Sequence, residues 1–388
     1  MDFSFSEEQK QIQQAARQFA AKVVAPIARQ CDDSETMPRE VFERAFAEGI
    51  LTGVIPREYG GLGWTAVELV LMVEEIAAAC CGMATSLFVH YLPLEALLCF
   101  GSEEQRRRYV GGFCEKLTFA SFAATDASSG QDIVHSATRA TRRGDVYRIN
   151  GEKQFITNAT WADYFVVIAR TEDPPSEANP GVSMFVVPRD TPGVSVGPPV
   201  KKLGQRASNT ASVFFDDAPV PAGNLVGKEG NGLVQGITAL MKSRTMIAAM
   251  GVGVARAALQ LAIETGERRR WRRPLLYHEH YVLRLGRLDT RIAAARLLTL
   301  NSAWALAQGS SDVAHASRAK MFAGEVAMST ASEALEMMGG MGYTREFLAE
   351  KMLRDAKLLQ IFEGPTTMQE RIVGSSLVMG DVKAWLRD

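Results

Sequence analysis

Four short segments hold the residues whose types and spacing could do chemistry. In Ile361-Phe362-Glu363-Gly364-Pro365-Thr366-Thr367, one carboxylate stands between an apolar pair and a Gly-Pro break. On a loop against an apolar cavity such a carboxylate is poorly hydrated, its pKa rises toward neutrality, and it suits general-base work. An ordinary surface glutamate fits the same residues. Between Glu267 and Leu275, five arginines fill six positions from Arg268 to Arg273, around Trp271. Arginines at a helix end cap carbonyls and bind phosphate, and a solvated charged face is the plainer reading. Phe122 to Asp132 is rich in small and hydroxyl residues, which let backbone approach a flat ligand or simply form a polar turn. In Gln154-Phe155-Ile156-Thr157-Asn158-Ala159, a strand would put Phe155 and Thr157 on one face, suited to stacking on a ring and bonding to it. A half-buried strand with no ligand has the same pattern.

The elements around these segments change texture twice. Ser6 and Gln9 fit a capping box, and Ile12, Ala15, Ala16, Phe19, Ala20 and Val23 recur at helical spacing. Pro26 predicts a break, Pro56 to Gly63 a loop, and 38–52 and 65–115 further helix. Short β-like runs follow at Val146–Ile149, Tyr164–Ile168, Val182–Val187 and Val213–Phe215, punctuated by Asn-Gly and Pro-Gly signals. Long helical patterns return at 232–268, 278–308, 312–338 and 365–386. The expected class is α+β: an all-α domain at 1–118, a β domain at 119–228 and an α-helical bundle at 229–388. No G-x-G-x-x-G opens a helix after a strand, so a Rossmann nucleotide site is not expected.

The chain of 388 residues has room for two or three domains, and its 47% hydrophobic and 22% charged content is that of a globular protein. A net charge of -1 provides no field for nucleic acid or an anionic membrane. Cys31, Cys80, Cys81, Cys99 and Cys114 lack CxxC spacing, so reduced thiols, a cytoplasmic setting and no bound metal are expected. The N-terminus does not read as a signal peptide, and no run of about 18 apolar residues predicts a membrane span.

Taken in order, the segments resemble the acyl-CoA dehydrogenase family over essentially the whole chain. The family's T-E-P-G-A-G-S-D is similar to Thr125–Asp132 and its W-I-T to Phe155-Ile156-Thr157. Its G-Q-R stands as Gly204-Gln205-Arg206, and its E-R-x-x-F-G is similar to Glu267–Arg272. Its Q-x-x-G-G is similar to Glu336–Gly340, its R-D-A-K stands as Arg354–Lys357, and its Y-E-G-T is similar to Phe362–Pro365.

The resemblance implies a β-barrel-like middle domain, a C-terminal four-helix bundle, and FAD bound between them. Phe122, Ala124, Thr125, Phe155 and Thr157 would then line the isoalloxazine, with Ile156 also among the FAD-binding residues. Arg268, Trp271, His278, Glu279, Glu336, Gly339 and Gly340 would bind FAD, the arginines reaching the pyrophosphate of an adjacent subunit. Pro365, Thr366 and Thr367 would also lie at the cofactor, and Gln131, Arg244 and Gly364 at the substrate. Glu363 would take the α-proton of an acyl-CoA thioester while hydride leaves the β-carbon for the flavin, giving a trans-2-enoyl thioester. Electron-transferring flavoprotein would be the acceptor and a homotetramer or homodimer the assembly. An acyl-carrier-protein substrate is an alternative, and a flavin oxidase or monooxygenase a more distant one. Some members place the base on a bundle helix, but the matching Met241-Lys242-Ser243-Arg244 has no carboxylate.

The chain departs from the family pattern in several places. Asp126 replaces Glu, Ala127 replaces Pro, Gln131 a small Ser, and Pro365 a Thr. Glu336 and Glu279 stand where Gln is usual and would repel a pyrophosphate by about 1 kcal/mol per close pair in water. Arg269, Arg270, Arg272 and Arg273 would offset that repulsion.

Overall fold

The computed structural model describes residues 4–128, 130, 132–172 and 181–379. Gln131 and the last part of the 365–386 pattern lie outside them. The chain opens with α1 (Glu7–Phe19), whose capping box of Ser6 and Gln9 is formed as expected. Ala16 and Phe19 of its apolar stripe are buried, whereas Ala15 faces outward. Pro26 does not break the helical path. A π-turn at Ala20–Val24 and a 3-10 turn at Ala25–Ile27 absorb its missing N–H, and α2 (Ala28–Ser34) continues. Then come α3 (Arg39–Ala47), α4 (Ala66–Ala79), α5 (Cys81–Phe88), α6 (Tyr91–Phe100), α7 (Glu103–Gln105) and α8 (Gly112–Glu115).

The middle region holds β1 (Ala120–Ala123), β2 (Arg139–Arg143), β3 (Val146–Thr157), β4 (Tyr164–Arg170), β5 (Val182–Pro188), β6 (Val194–Val196), β7 (Thr210–Pro221) and β8 (Leu225–Val226). They form one sheet in the order β6-β7-β3-β2-β4-β5-β8, with β1 paired parallel to β4. The sheet curls. β3 and β5 are three strands apart, about 14 Å in a flat sheet, yet the Tyr147 and Phe185 rings meet at 4.8 Å. Phe165 and Val167 of β4 turn into this inner core, while Tyr164, Val166 and Ile168 turn onto the core shared with the helices. Burial on both faces is why β4 reads as an unbroken apolar run rather than an alternating one.

The bundle comprises α9 (Gly232–Arg268), α10 (Glu279–Ala307), α11 (Val313–Met338), α12 (Ala349–Leu358) and α13 (Thr366–Met379). A two-stranded ribbon, β9 (Arg270–Trp271) and β10 (Arg273–Pro274), joins α9 to α10. Contrary to the expectation of no apolar run long enough, Cys81–Phe100 and Gly232–Arg268 match a membrane span in length and composition. Most of each is buried in protein, as core helices are.

The three regions meet at one polar junction. The Arg354 guanidinium donates to both oxygens of Asp32, at 3.2 and 2.6 Å, and to the Leu203 carbonyl at 3.0 Å. The Asp355 carboxylate accepts from the Gln205 N–H, and Gln205 in turn accepts from the Thr85 hydroxyl at 2.7 Å. A Cβ on Gly204 would come within 2.2 Å of the Arg354 carbonyl, so only glycine allows this approach.

Candidate active site

Glu363 lies in the turn between α12 and α13. Its φ is 54° and that of Gly364 is 93°, two left-handed residues in succession. The glutamate is strained there, and a Cβ on Gly364 would meet Gln369 Nε2 at 2.5 Å. Two buried cations hold the turn by its carbonyls. Arg244 Nε donates to the Glu363 carbonyl at 3.1 Å, and Lys320 Nζ to the Gly364 carbonyl at 2.6 Å. Gln369 Nε2 adds a bond to the Gly364 carbonyl at 3.0 Å. Removal from water lowers the Lys320 pKa to about 8 and that of Arg244 to about 10. Arg244 Nη1 has no partner among the described residues.

The Glu363 carboxylate accepts a hydrogen bond from the Ser243 hydroxyl of α9. Burial raises its pKa above the ordinary carboxylate range, while Ser243, Arg244 and Lys320 draw it partly back. The residue as a whole keeps some exposure. Ser243 also lines a cavity of about 210 Å³ between α4, α6 and α9, whose apolar wall includes Leu69, Leu92, Met246 and Leu306. The Glu363 N–H meets no acceptor among the described residues. The site thus offers a poorly hydrated base and an unused donor close together.

A second group of residues builds a flat surface at the ends of β1 and β3. The Ser121 hydroxyl donates to the Thr157 carbonyl at 2.8 Å, and the Gln154 N–H to the Thr125 carbonyl at 2.8 Å. These bonds stitch Phe122, Ala124 and Thr125 to Phe155 and Thr157. A register shift between Lys153 and Ile156 and a φ of 57° at Phe155 turn that ring outward, where it is 61% exposed. Such an uncovered aromatic suits a planar ligand. The side chain of Ile156, expected among the FAD-binding residues, lies behind this surface, where strand alternation sends it into the inner core. Beneath the surface, buried Lys153 donates to the Ala124 carbonyl at 2.9 Å and pairs with Asp126 at 3.2 Å.

A third group gathers at the far end of the bundle. His278 Nε2 lies 3.0 Å from the Trp271 carbonyl, with the two rings 5.4 Å apart. The Arg269 guanidinium donates to the Met338 carbonyl beside Gly339 and Gly340. Arg268 and Trp271 lie beside Arg269 in the chain, and His278 and Glu279 at the start of α10, where His278 is tied to Trp271. Glu336 is paired with Arg284 at 3.2 Å, so Arg284, outside the arginine run, offsets its charge. Pro365 precedes α13 and Thr366 starts it, the Pro365 carbonyl accepting from Met368 N at 2.9 Å, and Thr367 is exposed. Arg244, expected at the substrate, holds the Glu363 turn from within the fold through its Nε.

Three family models match the chain: the acyl-CoA dehydrogenase N-terminal domain over residues 6–116, the middle domain over 121–218 and the C-terminal domain over 230–378. The chain belongs to the acyl-CoA dehydrogenase family. A cyclohex-1-ene-1-carbonyl-CoA dehydrogenase of Syntrophus aciditrophicus is 35% identical, covering 96% of this chain and 90% of its own. Butyryl-CoA dehydrogenase of Megasphaera elsdenii superposes with a TM-score of 0.94 at 31% identity, over 97% of this chain and 100% of its own. A prolyl acyl carrier protein oxidase superposes at 0.91 with 26% identity, over 97% and 100%. In this family member, Ser243, Lys320 and Gln369 bond to the Glu363 turn; Ser243 lies in the stretch matched to the alternative base position, and no sequence motif marks Lys320 or Gln369. Their immediate neighbours, Lys242 and Arg244 around Ser243, Ala319 and Met321 around Lys320, and Met368 and Glu370 around Gln369, share no common pattern that could have signalled them.

Proposed function

We propose that this protein is an FAD-dependent acyl-CoA dehydrogenase that introduces a trans-2 double bond into an acyl thioester. The observation that carries the reading is Glu363: a carboxylate with a raised pKa, hydrogen-bonded to Ser243 at the wall of a largely apolar cavity. Glu363 takes the α-proton. The negative charge that develops on the thioester oxygen needs a donor, and the unused Glu363 N–H is placed to supply it. Arg244 and Lys320 fix the turn so that base and donor keep their spacing. When bound, FAD supplies the acceptor for the hydride that leaves the β-carbon. Phe122, Ala124, Thr125, Phe155 and Thr157 would hold its ring, with Lys153 keeping the Ala124 carbonyl in place. Electron-transferring flavoprotein is the proposed electron acceptor. A homotetramer or homodimer is the proposed assembly, supported by apolar Val282, Leu283, Leu297 and Trp304 exposed along α10.

A second reading keeps the chemistry and moves the acyl group to a carrier protein, supported by the likeness to the prolyl acyl carrier protein oxidase. One experiment tests both. The purified yellow protein is mixed anaerobically with a panel of acyl-CoAs and acyl-carrier proteins, and flavin bleaching is followed. Bleaching by acyl-CoAs at least as fast as by the carrier-bound acyl groups supports the first reading. The Glu363→Gln variant should still bind thioester but bleach roughly 10²–10⁴-fold more slowly. Bleaching at the unmodified rate would exclude Glu363 as the base.

A further inference from the structure

The cavity beside Glu363 is not lined by apolar side chains alone. Glu95 on α6 and Lys242, the residue before Ser243 on α9, both line it and form an ion pair at 2.8 Å. The Glu95 side chain is only 11% exposed. Other hydroxyls in the lining are already engaged: Thr65 donates to Glu68 at 2.5 Å, Tyr91 to the Ile50 carbonyl at 2.5 Å, and Ser243 to Glu363. The pair itself is not saturated. A carboxylate accepts about four hydrogen bonds and an ammonium donates about three. One Glu95 oxygen takes Lys242, and the other takes the Cys99 thiol at 3.2 Å.

This arrangement discriminates by chemistry. A plain alkyl group filling the cavity strips water from the pair and returns nothing. An anionic acyl end meets Glu95, and a cationic one meets Lys242. A hydroxyl or amide donates to the carboxylate and accepts from the ammonium, replacing what water gave. The volume of about 210 Å³ lies below the roughly 300 Å³ at which pockets for drug-sized ligands begin, so the group is small. Building on the acyl-thioester reading above, we infer that this cavity selects a short acyl group bearing an uncharged hydrogen-bonding substituent, with Glu95 and Lys242 as the specificity-determining residues.

The test is anaerobic flavin bleaching by four CoA thioesters of similar length: butyryl, 4-hydroxybutyryl, succinyl and 4-trimethylammoniobutyryl. The hydroxylated thioester should show kcat/KM roughly tenfold or more above butyryl, with both charged ones below it. In Glu95→Leu/Lys242→Leu, which removes both charges together, that preference should fall about tenfold. The near-isosteric pair Glu95→Gln/Lys242→Met gives the same reading with less repacking. Butyryl at parity or better, a charged thioester preferred, or an unchanged preference in both double variants overturns the subsite and leaves the dehydrogenase standing. Failure of every thioester to bleach the flavin overturns both.

Discussion

At the scale of single residues, Glu363 stands between two opposed demands. As the proposed base it would have to be ionised to accept a proton, and burial favours its neutral form. Its folded pKa lies above the ordinary value of 4.5, so its stabilising contribution is full below pH 4.5 and lost as pH rises through the folded value. Glu363→Gln should therefore melt at a higher temperature than the unmodified protein at pH 7, with the gap closing near pH 4, by calorimetry. Ser243 favours the ionised form. In Ser243→Ala the acid limb of kcat/KM should move to higher pH, while the limb of an unrelated variant stays in place. The carboxylate itself was legible in the sequence, through its position in an ordered series of motifs. Its supports were not: Ser243 is 120 residues away and Lys320 is 44 residues from Gly364, and helical spacing says nothing about such contacts.

At the scale of elements, β3 carries a buried ion pair under the flat surface. Lys153 is pressed to a pKa of about 8 by burial, against the pull of Asp126. Lys153→Met would leave the Asp126 carboxylate buried without its cation, and urea unfolding should show a loss of about 3–5 kcal/mol. Lys153→Met combined with Asp126→Leu should recover most of it. His90, at the start of α6, is another such link: its Nδ1 lies 3.3 Å from Ala120 N of β1, and burial lowers its pKa to about 4. Its folded value lies below the ordinary 6.5, so its contribution is full above pH 6.5 and drains away toward pH 4, by about 3 kcal/mol. His90→Gln should flatten the fall in melting temperature over that interval. The strand runs and the long helices were legible because apolar period and turn residues mark them. The bulge at Phe155 and the path through Pro26 were not, because each is set by what packs against it.

At the scale of the molecule, the surface groups fall into two sets. The β1–β3 surface and the Glu363 turn are each held by bonds within the fold, while the arginine ribbon and the end of α11 form a separate cluster held by its own bonds. The proposed assembly gives that cluster its purpose, since it would reach the cofactor of a neighbouring subunit. Leu297→Glu/Trp304→Glu should lower the mass measured by light scattering to that of one chain. The flavin retained through gel filtration should fall at least about tenfold, as expected when binding groups from a second chain are lost. The sequence pointed to both sets of residues. Their division between two places in the fold became visible only with the helices in position.

The junction of Arg354 and Asp355 with Asp32, Leu203 and Gln205 has a consequence for building hybrids of this chain. α12 is clamped to the helical N-terminal region and to the β region at once, and it leads directly into the turn that carries Glu363. A graft that exchanges one region for that of a relative should therefore reset the aim of the proposed proton acceptor, even where no residue of the cavity is altered. Recombination should keep Asp32, the Gly204-Gln205 approach and the Arg354-Asp355 pair from a single parent. Hybrids that split them should fold and colour yellow yet turn over slowly, like a lock whose key fits and whose bolt is misaligned.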